Sequence, residues 1–376
     1  MFGNGALEMN KVPLLDLKPE LNRLMPELTE AALRVIASGE YIGGKEVKAF
    51  EDAVAAYLGL PYVVPLNSGT DALMIALDAA GVKAGDEVIT SPCSFFATAE
   101  AISRVGAQPV FADIDPLTFT IDVHDVRQKL TPRTKAIIPV HLFGHAADMD
   151  ELTKLAQEHN LFLLEDVAQA FGGRHQNRML GSIGHAAAFS FFPSKTLGGF
   201  GDGGLFATKD KKLADDVRML AVHGARKKYH NERIGYNSRL DALQAALLGV
   251  KLKVIDELIA GRRRVAQRYD HLLAPLRQVK TPYVHPDTFH AYHQYTIVIE
   301  DVDRSTVQQR MLERGIETFV YYPTPLHKLP VYEGLYEALP HAERTCARVL
   351  SLPISPFLEE HVQDRVVTCL EESLLS

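Results

Sequence analysis

Cysteine is scarce in this 376-residue sequence, and the few present exclude two kinds of protein. Cys93, Cys346 and Cys369 are odd in number and far apart. They form neither a disulfide framework nor a metal-ligand spacing, so no metal is expected and packing is their plain reading. No run of 18 or more apolar residues occurs, so no membrane-spanning helix is expected. The N-terminus lacks a basic stretch followed by an apolar one, so no secretory leader is expected, and the cytoplasm is the expected location. Positive charge is not in excess either: 40 Lys and Arg against 47 Asp and Glu give a net charge of -7. Nucleic-acid binding ordinarily shows a basic surplus and is not expected here. A small anion remains compatible, because local groups hold it. Fixed-period repeats and low-complexity segments are also absent.

What is present is core-forming material: 47% of residues are apolar and 23% charged. The length exceeds one simple layered domain and fits two. Residues 1–40 suggest a mobile start and then a short helix. An amphipathic helix is expected over 46–58, a strand over 62–66, a helix over 70–80 and a strand over 86–90. A helix near 96–105 follows. Short apolar runs at 109–112, 135–140 and 161–165 suit buried parallel strands, with a helix at about 148–159 before the last. Two more strand-like runs lie near 186–192 and 205–208. This succession of βα units argues for a parallel or mixed sheet covered on both faces. Residues 240–276 predict one long helix or two consecutive ones. Beyond them a strand (294–300), a helix (304–313), a strand (317–321) and two C-terminal helices suggest a smaller α+β unit. The expected division is a large α/β domain over 1–260 and a small one over 261–376, with the N-terminal segment free to pack on the latter.

Several segments carry chemistry. Lys195 ends FSFFPSK, just past an apolar strand. It is either a surface lysine or an amine beside a dry cleft, where desolvation lowers its pKa and favours Schiff-base formation. In LLEDVAQA, Asp166 follows a buried strand, where ligand sites of open α/β sheets lie. It is either a helix cap or a partner for a protonated heterocyclic nitrogen, which pyridoxal phosphate requires. Glu165, one residue earlier, points to the other face. NSGTDAL places Gly69 and Thr70 at a helix start, either as caps or as a phosphate cradle. In SPCSFFATAE one phenylalanine could stack on a flat ring; core packing is the alternative. GFGDGG, residues 199–204, matches a dinucleotide fingerprint but precedes a strand instead of opening a helix, so a nicotinamide site is rejected. The basic stretch from His223 to Ala246 is either a solvated loop or an anion-recognition element of this subunit or a neighbour.

In this order, NSGTDAL, EDVAQA, SFFPSK and GYNSRLDALQAA resemble the DegT/DnrJ/EryC1/StrS family. These are nucleotide-sugar aminotransferases dependent on pyridoxal 5'-phosphate. The resemblance runs from YIGGKEVKAFE to YYPTPLH. It implies the fold-type-I transferase architecture: a mostly parallel central sheet with helices on both faces, plus a smaller C-terminal α+β domain. It implies that Lys195 forms the Schiff base and shuttles protons. Asp166 faces the pyridine nitrogen and Gln169 the ring hydroxyl. Gly69, Thr70 and Ser190 hold the phosphate, and Phe95 stacks on the ring. Asn237 is implied to reach the phosphate from the other subunit of a homodimer with shared sites.

Some relatives carry histidine at the lysine position and act as dehydratases; Lys195 favours transamination. L-glutamate is the implied donor, in a ping-pong reaction with a nucleotide-linked keto-sugar. HLFGHAADMDEL and YYPTPLH look closest to the branch that aminates 3-keto sugars, and Tyr322 and His327 resemble its substrate-side residues, joined by Arg239 from the partner. The alternatives are the 4-keto branch and a non-enzymatic regulator that retains the fold.

Overall fold

The computed structural model describes residues 11–375; the expected mobile start falls in part on residues 1–10, outside the described residues. Seven short runs form one sheet: β1 (Tyr62–Leu66), β2 (Glu87–Thr90), β3 (Gln108–Phe111), β4 (Thr134–Ile138), β5 (Phe162–Asp166), β6 (Ala186–Ser190) and β7 (Gly204–Thr208). Their order is β1-β7-β6-β5-β4-β2-β3. Only β7 runs against its neighbours; the others are mutually parallel. Strands β2 and β7 are buried at every position, so neither shows the apolar–polar alternation of a half-solvated strand.

Among the described residues nine α-helices accompany this sheet: α1 (Lys18–Ser38), α2 (Gly44–Leu58), α3 (Gly69–Ala79), α4 (Ala97–Arg104), α5 (Val123–Gln128), α6 (Met149–His159), α7 (Lys211–Leu220), α8 (Ala242–Leu252) and α9 (Ile255–Leu273). One cluster joins α3, α4 and α7 to the sheet. Others join α2, α8 and the start of α9 to it, and likewise α5 and α6. Helix α7, which the sequence reading did not assign, begins at Asp210, whose carboxylate accepts the Lys212 and Leu213 N–H groups. The first helix is not short: α1 has 21 residues. Pro26 lies inside it, yet the stripe Leu24, Leu28, Ala31 and Val35 packs on Ala242, Ala246 and Leu247, and that packing sustains the helix through the proline.

The stretch 240–276 is two helices, α8 and α9, that meet at Lys253–Val254. Helix α9 serves two cores. Ile255 and Ile259 belong to the large sheet's cluster, whereas Val265, Tyr269 and Leu273 belong to a second one. That second core is built on an antiparallel sheet of β8 (Val279–Lys280), β9 (Tyr295–Ile299) and β10 (Val349–Leu352), with β9 central. Helices α10 (Arg304–Glu313) and α12 (Glu360–Leu375) pack on it, and Val12 joins them. Helix α11 (Pro340–Arg348) instead contributes Ala342 and Cys346 to a cluster with Cys93 and Phe111. The strand expected at 317–321 is absent. That segment makes one isolated bridge, Phe319 to Ser351, before it turns along a cavity wall; the edge position is taken by β10, which the sequence reading did not assign. Among the described residues no helix is long and apolar enough to cross a membrane.

Candidate active site

The parallel strands β1, β2, β4, β5 and β6 all end at one cavity of about 820 Å³, as the topology of an open α/β sheet favours. Asp166 is the last residue of β5 and Ser190 the last of β6. The loop after β1 brings Gly69 and Thr70, and the loop after β2 brings Ser94 and Phe95. The rest of the wall comes from His293 and Gln294 just before β9, Arg304 at the start of α10, and the segment Phe319 to Tyr322.

Lys195 follows β6 on a tight turn. Its N–H donates to the Phe192 carbonyl (2.8 Å), and the Gly199 N–H donates to that of Phe191 (2.7 Å). The turn needs Gly198, where a Cβ would stand 2.2 Å from the Pro193 oxygen. The side chain is half-buried and lines the cavity. Desolvation lowers its pKa to about 8, against the opposing pull of Asp166.

Asp166 is buried. Its Oδ2 accepts from Thr98 Oγ1 (2.8 Å) and its Oδ1 from the Ala168 N–H (3.1 Å). Thr98 in turn accepts from Ser94 Oγ (2.7 Å), because its own proton is committed to the carboxylate. Burial raises the Asp166 pKa, and Thr98, Ala168 and Lys195 restrain the rise. Glu165 does point the other way. It is sealed among His141 Nε2 (3.0 Å) and the N–H groups of Gly181 (2.7 Å), Ile183 (2.8 Å) and Gly184 (2.7 Å). Burial works against its charge, but His141 and these amides outweigh burial and hold its pKa below the usual range. His141 Nδ1 accepts the Ala147 N–H (3.1 Å), so Nε2 carries the proton given to Glu165.

The start of α3 lies hard against the sheet. Ser68 caps it by accepting the Asp71 N–H (3.1 Å). A Cβ on Gly69 would fall 2.8 Å from Ser190 Cβ, and one on Gly204 would fall 2.2 Å from the Ser68 carbonyl carbon. The first-turn N–H groups of Gly69 and Thr70 have no intrahelical acceptor and sit at the cavity beside Ser190. These features fit pyridoxal phosphate: a helix start packed tightly on Ser190 with its N–H groups at the cavity, a buried carboxylate, an amine of lowered pKa and the exposed ring of Phe95.

Gln169 is held at both ends. Its Oε1 accepts the Phe143 N–H (2.8 Å) and its Nε2 donates to Tyr322 Oη (2.8 Å). Tyr322 lies near Phe95, with ring centroids 6.4 Å apart. Burial, then the nearby Asp166, raises the Tyr322 pKa, so the phenol keeps its proton and can donate it into the cavity.

Three expected residues lie outside the lining. Asn237 is exposed and Arg239 half-buried, and neither reaches this chain's own cavity. His327 corrects an expectation. It is buried beside Phe111, its Nε2 is bound to Glu343 (3.0 Å), and it does not open on the cavity. The backbone explains this, because the Leu326 N–H is tied to the Pro92 carbonyl (2.8 Å), which turns this segment into the core. Thr98, His293, Gln294, Arg304 and Phe319 were not singled out from the sequence. Thr98 had a signal, since it lies one turn beyond Phe95 in the same run; the others belong to no local motif.

Residues 22–371 match the DegT/DnrJ/EryC1/StrS aminotransferase family. A pleiotropic regulatory protein of Geobacillus stearothermophilus is 45% identical over 366 residues, which cover 96% of this chain and 98% of that protein. A UDP-2-acetamido-2-deoxy-3-oxo-D-glucuronate aminotransferase of Pseudomonas aeruginosa is 40% identical over 93% of this chain and 96% of its own. The crystal structure of S. venezuelae DesV in complex with a ketimine intermediate superposes with a TM-score of 0.94 at 42% identity, covering 97% of this chain and 99% of that one.

Proposed function

Because the chain belongs to the DegT/DnrJ/EryC1/StrS aminotransferase family, we propose that it moves an amino group from L-glutamate to a nucleotide-linked 3-keto sugar. It is a nucleotide-sugar aminotransferase dependent on pyridoxal phosphate. When bound, the cofactor supplies an electrophilic aldehyde and a ring that takes up electrons. The chain supplies the rest. Lys195 provides an amine that is largely neutral above pH 8, able to attack a carbonyl and, once released, to carry a proton in both halves of a ping-pong reaction. Asp166, steadied by Thr98 and Ala168, keeps a proton on the ring nitrogen. Gly69, Thr70 and Ser190 would hold the cofactor's phosphate, and Phe95 would pack on its ring. Gln169 and Tyr322 form one hydrogen-bonded unit that offers a proton to the ring oxygen or the substrate.

The observation that carries this reading is the juxtaposition of Lys195, its pKa lowered to about 8, with buried Asp166 in one cavity beside the Gly69–Ser190 cradle. The 3-keto preference draws support from the Pseudomonas aeruginosa relative, whose name places the oxo group at position 3. The acceptor side is then Tyr322 on this chain and Arg239 of a second subunit, with Asn237 of that subunit closing the phosphate site. A homodimer also accounts for exposed Met25, Leu33, Ile36, Tyr41 and Ile42 on and after α1. The large catalytic domain extends to about residue 260, within α9, and the enzyme works in the cytoplasm.

The test is to load the enzyme with glutamate and offer nucleotide-linked 3-keto and 4-keto sugars in turn. Recovery of the visible cofactor band with the 3-keto sugar alone is the expected result. Recovery with the 4-keto sugar alone overturns the assignment of position. Lys195→Ala must lose the glutamate-driven bleaching altogether.

A further inference from the structure

His293 is the least explained group on the cavity wall. It lies just before β9, with 6% of its surface exposed, and lines the same cavity as Lys195. No hydrogen bond among the described residues engages its ring, and Nδ1 is buried without a partner. A buried polar group left unpaired is destabilising and rare, and each case calls for a reason. The backbone around it is fixed: buried Arg262 donates Nη1 to the carbonyls of Tyr292 and His293, at 3.3 Å each. The main chain therefore holds this residue at the wall while the ring makes no hydrogen bond within the described chain and its Nδ1 is buried unpaired.

The charge state of the ring is settled by its surroundings. Burial first, then Lys195 and Arg262, drive its pKa well below the ordinary histidine value. No carboxylate takes part in setting it. A neutral imidazole offers one lone pair and one N–H.

Lys195 has the complementary need. In the reading above, its amine leaves the cofactor and must be held at one place while it takes and returns a proton. A carboxylate tether would hold it but favour the ammonium form and so quench the base. Asp166 already exerts that pull. A neutral acceptor holds the amine and leaves its pKa near the working range, where general-base catalysis is efficient.

We propose that His293 is a positioning residue whose ring accepts a hydrogen bond from the free Lys195 amine and holds it in place for proton transfer. No covalent bond forms or breaks at His293, and the transferred proton travels between Lys195 and the substrate. The inference rests on the role given to Lys195 above.

The experiment compares His293→Phe, which keeps a flat ring without polar atoms, with His293→Gln, which keeps a hydrogen-bonding group. Both are studied as holoenzymes by single-turnover absorbance change with glutamate, and as apoenzymes by the rate at which the visible band grows on adding pyridoxal phosphate. Loss of positioning in His293→Phe should slow the glutamate step about 10- to 100-fold with KM within about twofold, a share of the effect typical of general-base catalysis. Cofactor capture should slow in the same variant, and His293→Gln should recover most of both rates. Wild-type rates in a folded His293→Phe overturn the proposal. So does a His293→Gln variant as slow as His293→Phe, which marks a packing role. Should His293→Phe not fold, His293→Leu takes its place against the same criteria. Lys195→Ala separates the two levels: if it still bleaches with glutamate, the reading of Lys195 fails. If it is inert while His293→Phe runs at full rate, only the positioning role fails.

Discussion

Thr98→Val isolates the hydrogen bond that steadies the buried Asp166 carboxylate. Valine keeps the shape of threonine, so the loss is chiefly the hydroxyl that donates to Asp166 Oδ2 over 2.8 Å. A hydrogen bond to a charged group contributes about 1.5–3 kcal/mol. At 1.36 kcal/mol per pKa unit, its removal raises the Asp166 pKa by roughly 1–2 units. The sign follows from the forces already acting: burial raises this pKa, and Thr98 is the foremost group restraining it. Activity that needs the carboxylate is present above its folded pKa and is lost as pH falls through it. The acid limb of the glutamate half-reaction should therefore move upward by about 1–2 units, with the rate well above the limb changed much less. Stopped-flow absorbance across a pH series reads this directly. Ser94→Ala is the control, because Ser94 loses its Thr98 partner in the same variant and must not reproduce the shift. An acid limb that stays within about 0.3 unit of wild type would refute the reasoning, since it would mean that Thr98 does not hold the charge.

Three further outcomes are expected. In the apoenzyme, acylation of Lys195 should reach half its maximal rate near pH 8, because its lowered pKa leaves the amine neutral above that value; a midpoint near that of a surface lysine would contradict the desolvation. Gly69→Ala puts a methyl 2.8 Å from Ser190 Cβ, and at about 1–3 kcal/mol for overpacking it should weaken cofactor binding roughly 5- to 150-fold, measured by fluorescence titration. If Asn237 completes the neighbouring subunit's site, as proposed, mixed dimers of Lys195→Ala and Asn237→Ala chains should regain about a quarter of wild-type activity above the two parents, because half of the dimers are mixed and each carries one intact site. Recovery at the level of either parent would place Asn237 outside the shared site.

Local sequence determined which groups the large sheet presents to the cavity. Lys195, Asp166, Ser190 and the Gly69–Thr70 turn each lie at or just past the carboxyl end of a strand. A parallel sheet aligns those ends, so short segments legible one at a time are carried to one cavity. The direction of Glu165 was legible for the same reason: adjacent residues of a strand face opposite ways. Helix starts and strand runs were legible wherever apolar periodicity was strong, and least so where packing overrode a local signal, as at Pro26 in α1.

The tertiary structure alone decided the opposite wall. His293, Arg304 and Phe319 share one cavity with Lys195, and no spacing in the sequence records that. His327 shows the same limit from the other side: its segment resembles a substrate loop, but the tie from Leu326 to Pro92 turns the histidine into the core. The segment 317–321 has the composition of a strand, yet it bends along the cavity, and Val349–Leu352 takes the place beside β9. Residue type and short spacing specified which groups the strand ends carry to the cavity. Which groups meet them across the cavity depended on long-range packing, where each contact is a property of two distant segments and is written in neither.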